Sequence, residues 1–261
     1  MGNNKLLLEV KNAGIQFGGL KAVQGLNMKL YQGELIGLIG PNGAGKTTSF
    51  NLLTGVYAPT EGDILFEGEK INGLAPYKVT RKGISRTFQN IRLFKELTVL
   101  DNVKVAYHSL AKHSIISSIL RLPSHFAGEE EMERKSNEFL KIFKLDPYKN
   151  ELAKNLPYGQ QRRLEIARAL AAGPKLLLLD EPAAGMNPQE TKDLMELIAF
   201  IRKEFHLTIL LIEHDMNLVM GVCERIYVLD HGQLLAEGPP EVIRNDPKVI
   251  EAYLGEEIHD A

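Results

Sequence analysis

"GPNGAGKT", Gly40 to Thr47, follows the apolar run "ELIGLIG" (Glu34–Gly40) and precedes "SFNLLTG" (Ser49–Gly55), so a strand runs into a glycine-rich loop and then a helix. In that setting the spacing G-x-x-x-x-G-K-[ST] is a phosphate-binding loop. Glycines let the backbone curl until successive N–H groups point inward, and the helix N-terminus adds partial positive charge. Gly40, Pro41, Asn42, Gly43, Ala44, Gly45, Lys46, Thr47 and Thr48 are therefore expected to hold a nucleotide, with Lys46 on the β and γ phosphates and the Thr47 hydroxyl on Mg²⁺.

"LLLLDEP", Leu176 to Pro182, supplies the matching half: a buried strand ending in two carboxylates at the edge where open α/β sheets bind ligands. Adjacent carboxylates repel, so they need a cation or a strongly polar site to stay charged. Asp180 suits a Mg²⁺ partner through water, and Glu181 suits polarising the water that attacks a γ-phosphate.

Outward from these motifs, short apolar runs alternate with turns and helices. "LLLEV", "GIQF" and "LNMKL" come first, then "DILFEG", a short helix over Pro76–Lys82 and "ISRTFQ", read as a strand ending at Gln89. From about residue 90 to 155 the pattern turns helical with charge on one side. In "EEEMERKSNEFLKIFKL", Met132, Phe139, Ile142 and Phe143 share a face. After "LPYGQ", strands return as "KLLLLD", "LTILLI", "ERIYVLD" and "QLLAEG", with a helix over "PQETKDLMELIAFIRKEF". Near-continuous apolar strands separated by helices predict a parallel sheet covered on both faces. The chain is thus expected to be one domain: residues 1–89 and about 156–261 form the nucleotide-binding core around an inserted helical subdomain.

The composition narrows the function classes. In 261 residues, 44% are hydrophobic, enough to fill such a core, and 31 Lys and Arg face 33 Asp and Glu. No overall basic field recruits nucleic acid or acidic lipid, and no nucleic-acid partner is expected. Cys223, the single cysteine, has no disulfide partner and reads as a core residue. "MGNNKLLLEV" shows no export signal, and no apolar run approaches the roughly 20 residues of a membrane span. The pair Asn4–Lys5 continues as Leu6–Leu7, so the guanine-reading pattern N-K-x-D is absent and a GTPase is not expected.

"LPYGQQRRLEIARAL", Leu156 to Leu170, precedes "DEP" by one short loop and one strand. That order resembles the nucleotide-binding subunit of ABC transporters, along nearly the whole chain. The resemblance implies an α/β fold: a P-loop NTPase (RecA-like) core with an antiparallel β subdomain and an inserted α-helical subdomain. It implies that Phe17 stacks on adenine and that Gln89 links the Mg²⁺ site to the membrane partner. Asp180 becomes the Walker B aspartate, Glu181 the catalytic glutamate, and His214 in "IEHD" the switch histidine on the γ-phosphate. Leu156, Tyr158, Gly159 and Gln160 become the signature that closes over ATP held by a second ATPase subunit, either another copy or a paralogue. Pro157 stands where the family usually has serine, removing one phosphate contact and one backbone donor. Ala184, Gly185, Met186 and Asn187 depart from the usual S-A-L-D.

Finer matches narrow the subfamily: "FGGLKAV", "RTFQNIRLFKELTVLDNV", "EPAAGMNP", "EHDMNLVM" and "VIEAYLGE" resemble ATPase subunits of branched-chain amino acid importers, whose relatives serve urea and short amides. The expected activity is ATP hydrolysis with Mg²⁺ at the cytoplasmic membrane face, coupled to transmembrane permease subunits. Ile91, Leu93, Phe94 and Leu97 would face a permease helix. The alternatives are the ATPase of a urea or amide importer, a lipopolysaccharide-export ATPase, whose signature normally keeps its serine and glycine, and a soluble ABC ATPase, whose second cassette or long coiled coil is missing here. A non-hydrolysing nucleotide sensor fits poorly with Lys46, Asp180, Glu181 and His214 all present.

Overall fold

The structure, a computed structural model, describes residues 5–108 and 123–259, without the side chains of residues 108, 123–129 and 254–259. Residues 1–4, which carry part of the export-signal reading, and residues 109–122 of the expected helical insertion lie outside the described residues.

Among the described residues the strands are β1 (Leu6–Phe17), β2 (Leu20–Tyr31), β3 (Leu35–Ile39), β4 (Glu61–Phe66), β5 (Glu69–Lys70), β6 (Ile84–Arg86), β7 (Leu176–Asp180), β8 (Thr208–Ile212), β9 (Arg225–Asp230) and β10 (Gln233–Gly238). They form two sheets, an antiparallel one ordered β2-β1-β4-β5 and a larger one ordered β10-β9-β3-β8-β7-β6. In the larger sheet β9, β3, β8, β7 and β6 are parallel, and β10 pairs antiparallel with β9.

The continuous apolar runs of β3, β7 and β8 are explained by burial on both faces. Leu35, Ile39, Leu177, Leu179, Ile209 and Leu211 enter one core with the helices, and Ile36, Leu38, Leu176, Leu178, Leu210 and Ile212 enter another with the antiparallel sheet. Cys223 lies in the helical core, where burial pushes its thiol up to about 12. Phe143 is buried there too, with Phe139 and Ile142 packed against that core, and Met132 is also buried, so the helix Pro123–Ile142 presents an apolar face inward.

Four expectations differ from the fold, each for a local reason. "LLLEV" and "GIQF" are one twelve-residue strand, which absorbs Asn12 at φ 47° as a register shift. β10 is not parallel because His231 and Gly232, at φ 43° and 76°, turn the chain straight back. β6 ends at Arg86 rather than Gln89, and the carbonyls of Phe88 and Gln89 bond to a side chain instead of a strand. Residues 90–98 are not helical. The helix Val99–His108 starts only after Thr98, whose hydroxyl accepts from Asp101 N at 3.0 Å.

Candidate active site

Register places the motifs on one edge. Ile212 pairs with Leu38 on one side and with Asp180 on the other, so the carboxyl ends of β3, β8 and β7 lie level. The phosphate loop, "IEHD" and "DEP" therefore leave the sheet side by side.

The loop is built on close backbone approach. A Cβ at Gly40 would sit 2.0 Å from Leu229 O, and one at Gly45, whose φ is +97°, would sit 2.8 Å from Ala22 O. Gly45 offers no side chain to cap the helix Lys46–Leu53, so the helix presents its N-terminal partial charge to the loop. Lys46 is buried, and its Nζ donates to Gly40 O at 2.6 Å and to Pro41 O at 2.8 Å, which places the ammonium inside the curl of the loop. Pro41 and Ala44 are buried; Asn42, Gly43 and Thr47 are exposed, with Thr48 between these extremes. Phe17 is 44% exposed and meets Tyr57 edge-on with ring centres 5.1 Å apart, a second aromatic that the sequence reading missed.

At the end of β7, Asp180 is buried, and Arg86 Nη2 donates to its Oδ2 at 2.7 Å. Asp180 Oδ1 is also buried and has no hydrogen-bond partner. An orphaned carboxylate oxygen at this edge fits a divalent cation or a water in its shell. The next residue, Glu181, takes φ 46°, an uncommon angle for a side-chain-bearing residue that turns the chain sharply off the strand. Its carboxylate is held from two directions, by Gln89 Nε2 donating to Oε2 at 2.8 Å and by His214 Nε2 lying 2.5 Å from Oε1. Three residues from three separate motifs thus meet on one group, which could orient a water and accept its proton.

Beneath them lies Glu213, which accepts from Ala183 N at 2.8 Å and from His214 N at 3.3 Å. Burial pushes its carboxyl above the ordinary range despite those two donors, with the nearby Glu181 charge adding to the shift.

The signature residues sit at the start of the helix Tyr158–Ala171, which Pro157 begins without a side-chain cap. Gly159 faces Glu190, and the Tyr158 ring lies over Gly185, so the signature rests on Ala184–Asn187. Asn187 itself caps the helix Pro188–Glu204 in a reciprocal box with Glu190. Gln161 Nε2 donates to Leu156 O at 2.8 Å, closing the turn before the helix.

The arginines of this stretch do not act as one anion site. Arg162 is 0% exposed and turns inward, donating to Phe88 O at 2.6 Å, Gln89 O at 2.7 Å and Glu165 Oε2 at 2.7 Å. Glu165 Oε1 in turn accepts from Arg92 N at 3.0 Å. A buried ion pair therefore locks the signature helix to the backbone on both sides of Gln89. The charges in "RRLEIARAL" and the arginine within "ISRTFQ" were the available signals, since ionised groups inside apolar runs need buried partners.

The chain matches the family model described as ABC transporter over residues 23–184, and that described as branched-chain amino acid ATP-binding cassette transporter over residues 233–259. It is 52% identical over 250 residues to the high-affinity branched-chain amino acid transport ATP-binding protein LivG of Escherichia coli K12, covering 96% of this chain and 98% of that protein. The ADP conformation of MJ1267, an ATP-binding cassette of an ABC transporter, is similar with a TM-score of 0.83 and 33% identity, over 96% of this chain and 99% of that one. The dimeric post-hydrolysis state of the cassette MJ0796, bound to ADP and Pi, is similar with a TM-score of 0.76 and 27% identity, over 90% and 99% respectively. With a family model spanning more than half its length and a half-identical relative along nearly all of it, the chain belongs to the ATP-binding cassette ATPases of ABC transporters.

Proposed function

We propose that this ATPase powers import of branched-chain amino acids, working as a pair of cassettes beneath transmembrane permease subunits at the cytoplasmic face of the membrane. The observation that carries the hydrolytic half is the meeting of Gln89, Glu181 and His214 beside the half-free Asp180 carboxylate. The solute rests on the identity to LivG and the C-terminal family match, and the pairing on the dimeric cassette.

Lys46 and the loop amides would bind the β and γ phosphates of ATP, and Phe17 with Tyr57 would take the adenine. Thr47, Gln89 and Asp180 would hold Mg²⁺, the last with its orphaned Oδ1. Bound there, Mg²⁺ supplies charge neutralisation on the phosphates as the terminal P–O bond breaks. Glu181 would align water against the γ-phosphate, His214 would exchange its contact with Glu181 for one with that phosphate, and Leu156, Tyr158, Gly159 and Gln160 would close over the nucleotide of the facing subunit. Among the described residues no helix is long and apolar enough to cross a membrane, so coupling to transport would run through contact with the permease. Phe94, 49% exposed, and Leu97 offer apolar surface for that contact.

The test is a pull-down of tagged Glu181→Gln with ATP from gently solubilised membranes, followed by reconstitution with the recovered chains. Recovery of permease subunits, and hydrolysis by the wild-type assembly stimulated by leucine, isoleucine or valine with their binding protein, supports the proposal. Stimulation by urea or short amides instead would replace the solute. Recovery of ribosomal or DNA-bound proteins without membrane chains would overturn the transport reading.

A further inference from the structure

Arg86 was assigned no role by motif, yet it occupies an unusual position. Its guanidinium and the Asp180 carboxylate are 6% and 3% exposed, in contact at 2.7 Å. Nη1 donates to Asn51 Oδ1 at 2.6 Å, and the guanidinium carbon lies 5.4 Å from the Phe50 ring centre and 5.1 Å from that of Phe88. The cation is thus pinned between two aromatic rings, a residue of the phosphate-loop helix and the terminal residue of β7. It takes one oxygen of Asp180 and leaves the other, Oδ1, buried and without a partner.

A carboxylate held this way has one oxygen fixed by a charged hydrogen bond and the second presented in a set direction. Asn51 belongs to the helix that begins beside Thr47, so the same guanidinium fixes Asp180 relative to that hydroxyl. We infer that Arg86 is a positioning residue for the divalent cation: by holding Oδ2 it orients Asp180 so that Oδ1 faces the cation, and it ties the carboxylate to the helix carrying Thr47. The inference rests on the proposed Mg²⁺ role of Asp180, through which Arg86 would act.

Mn²⁺ serves as the probe, with free ion followed by its paramagnetic resonance signal in the presence of saturating non-hydrolysable ATP analogue. Arg86→Met is expected to weaken Mn²⁺ binding about 10- to 100-fold, the range found when the outer partner of a metal-ligating group is lost. Analogue binding in EDTA should stay near the wild-type value, and Arg86→Lys should recover part of the Mn²⁺ affinity. Unchanged or tighter Mn²⁺ binding in Arg86→Met would overturn the inference, because the pair would then be structural or merely repel the cation. If Arg86→Met does not fold, Asn51→Leu releases one side of the guanidinium; a smaller loss of Mn²⁺ affinity supports the inference and no loss overturns it. Wild-type protein that binds no Mn²⁺ with the analogue would remove the cation role of Asp180 itself and this inference with it.

Discussion

His214 Nε2 lies 2.5 Å from Glu181 Oε1, while Gln89 engages the other oxygen of the same carboxylate. At that distance the imidazole must present an N–H to the carboxylate. In this arrangement each oxygen of the carboxylate already has one partner, which fixes the directions left for a water. In the proposed mechanism a γ-phosphate competing for His214 would free one Glu181 oxygen, which would tie the base to the presence of ATP. Glu181→Gln keeps the size and most hydrogen bonds of the side chain but cannot take a proton. It should bind ATP with near wild-type affinity and lower turnover by about 10²- to 10⁴-fold, or roughly 3 to 5 kcal/mol. Phosphate release together with equilibrium nucleotide binding checks this, and near-normal turnover would remove Glu181 from the mechanism.

Lys46 gives a prediction of the opposite kind. Its ammonium already bonds two carbonyls of the loop, so in the proposed role it would shape the curl as well as offer charge to phosphate. Lys46→Ala should therefore weaken ATP binding by at least about tenfold, the equivalent of roughly 1.4 kcal/mol, with a much smaller effect on adenosine, which has no phosphate to meet. Calorimetric titration with both ligands decides it; equal losses for the two would mean that the loop had collapsed.

The elements legible in the sequence were those specified by neighbours along the chain. Gly40–Thr47 and Leu176–Asp180 are continuous patterns, and the helix Pro188–Glu204 carries its own cap at Asn187. What stayed hidden depends on partners far away. Arg86 meets Asp180 across 94 positions, and Arg162 meets Phe88 across 74. No local spacing encodes either contact, so Arg162 reads as part of a phosphate-facing stretch although it points into the protein. The same distant contact explains why "ISRTFQ" reads as a strand to Gln89: its backbone partners after Thr87 are a side chain from another helix, not a neighbouring strand.

That side chain supplies a stability prediction. Arg162 and Glu165 are both buried and paired at 2.7 Å, and each also serves the backbone around Gln89. Removing one member leaves an uncompensated buried charge, so Arg162→Met or Glu165→Leu alone should cost about 3 to 5 kcal/mol. The double substitution removes both charges and should cost less than the sum of the two. Urea unfolding of all three variants measures the coupling; simple additivity would show that the two residues do not act as a pair.

Glu213 predicts a pH dependence. Burial raises its carboxyl above the ordinary glutamate value, so the folded protein binds this proton more tightly than the unfolded chain does. Folding is therefore favoured by this group at low pH, and that contribution is lost as pH climbs from the unfolded value of about 4.3 through the raised folded one. Glu213→Gln retains an oxygen for the Ala183 amide, gives up the longer bond from His214 N as an offset that does not vary with pH, and cannot ionise. Relative to wild type, the glutamine variant should gain stability steadily as pH rises through that window, and the difference should then stay constant above it. Urea midpoints of the two proteins, measured in parallel from acid to neutral pH, give this difference free of the other titrating groups. A difference that is flat, or that shrinks with rising pH, would mean that the two backbone donors outweigh desolvation and hold Glu213 ionised.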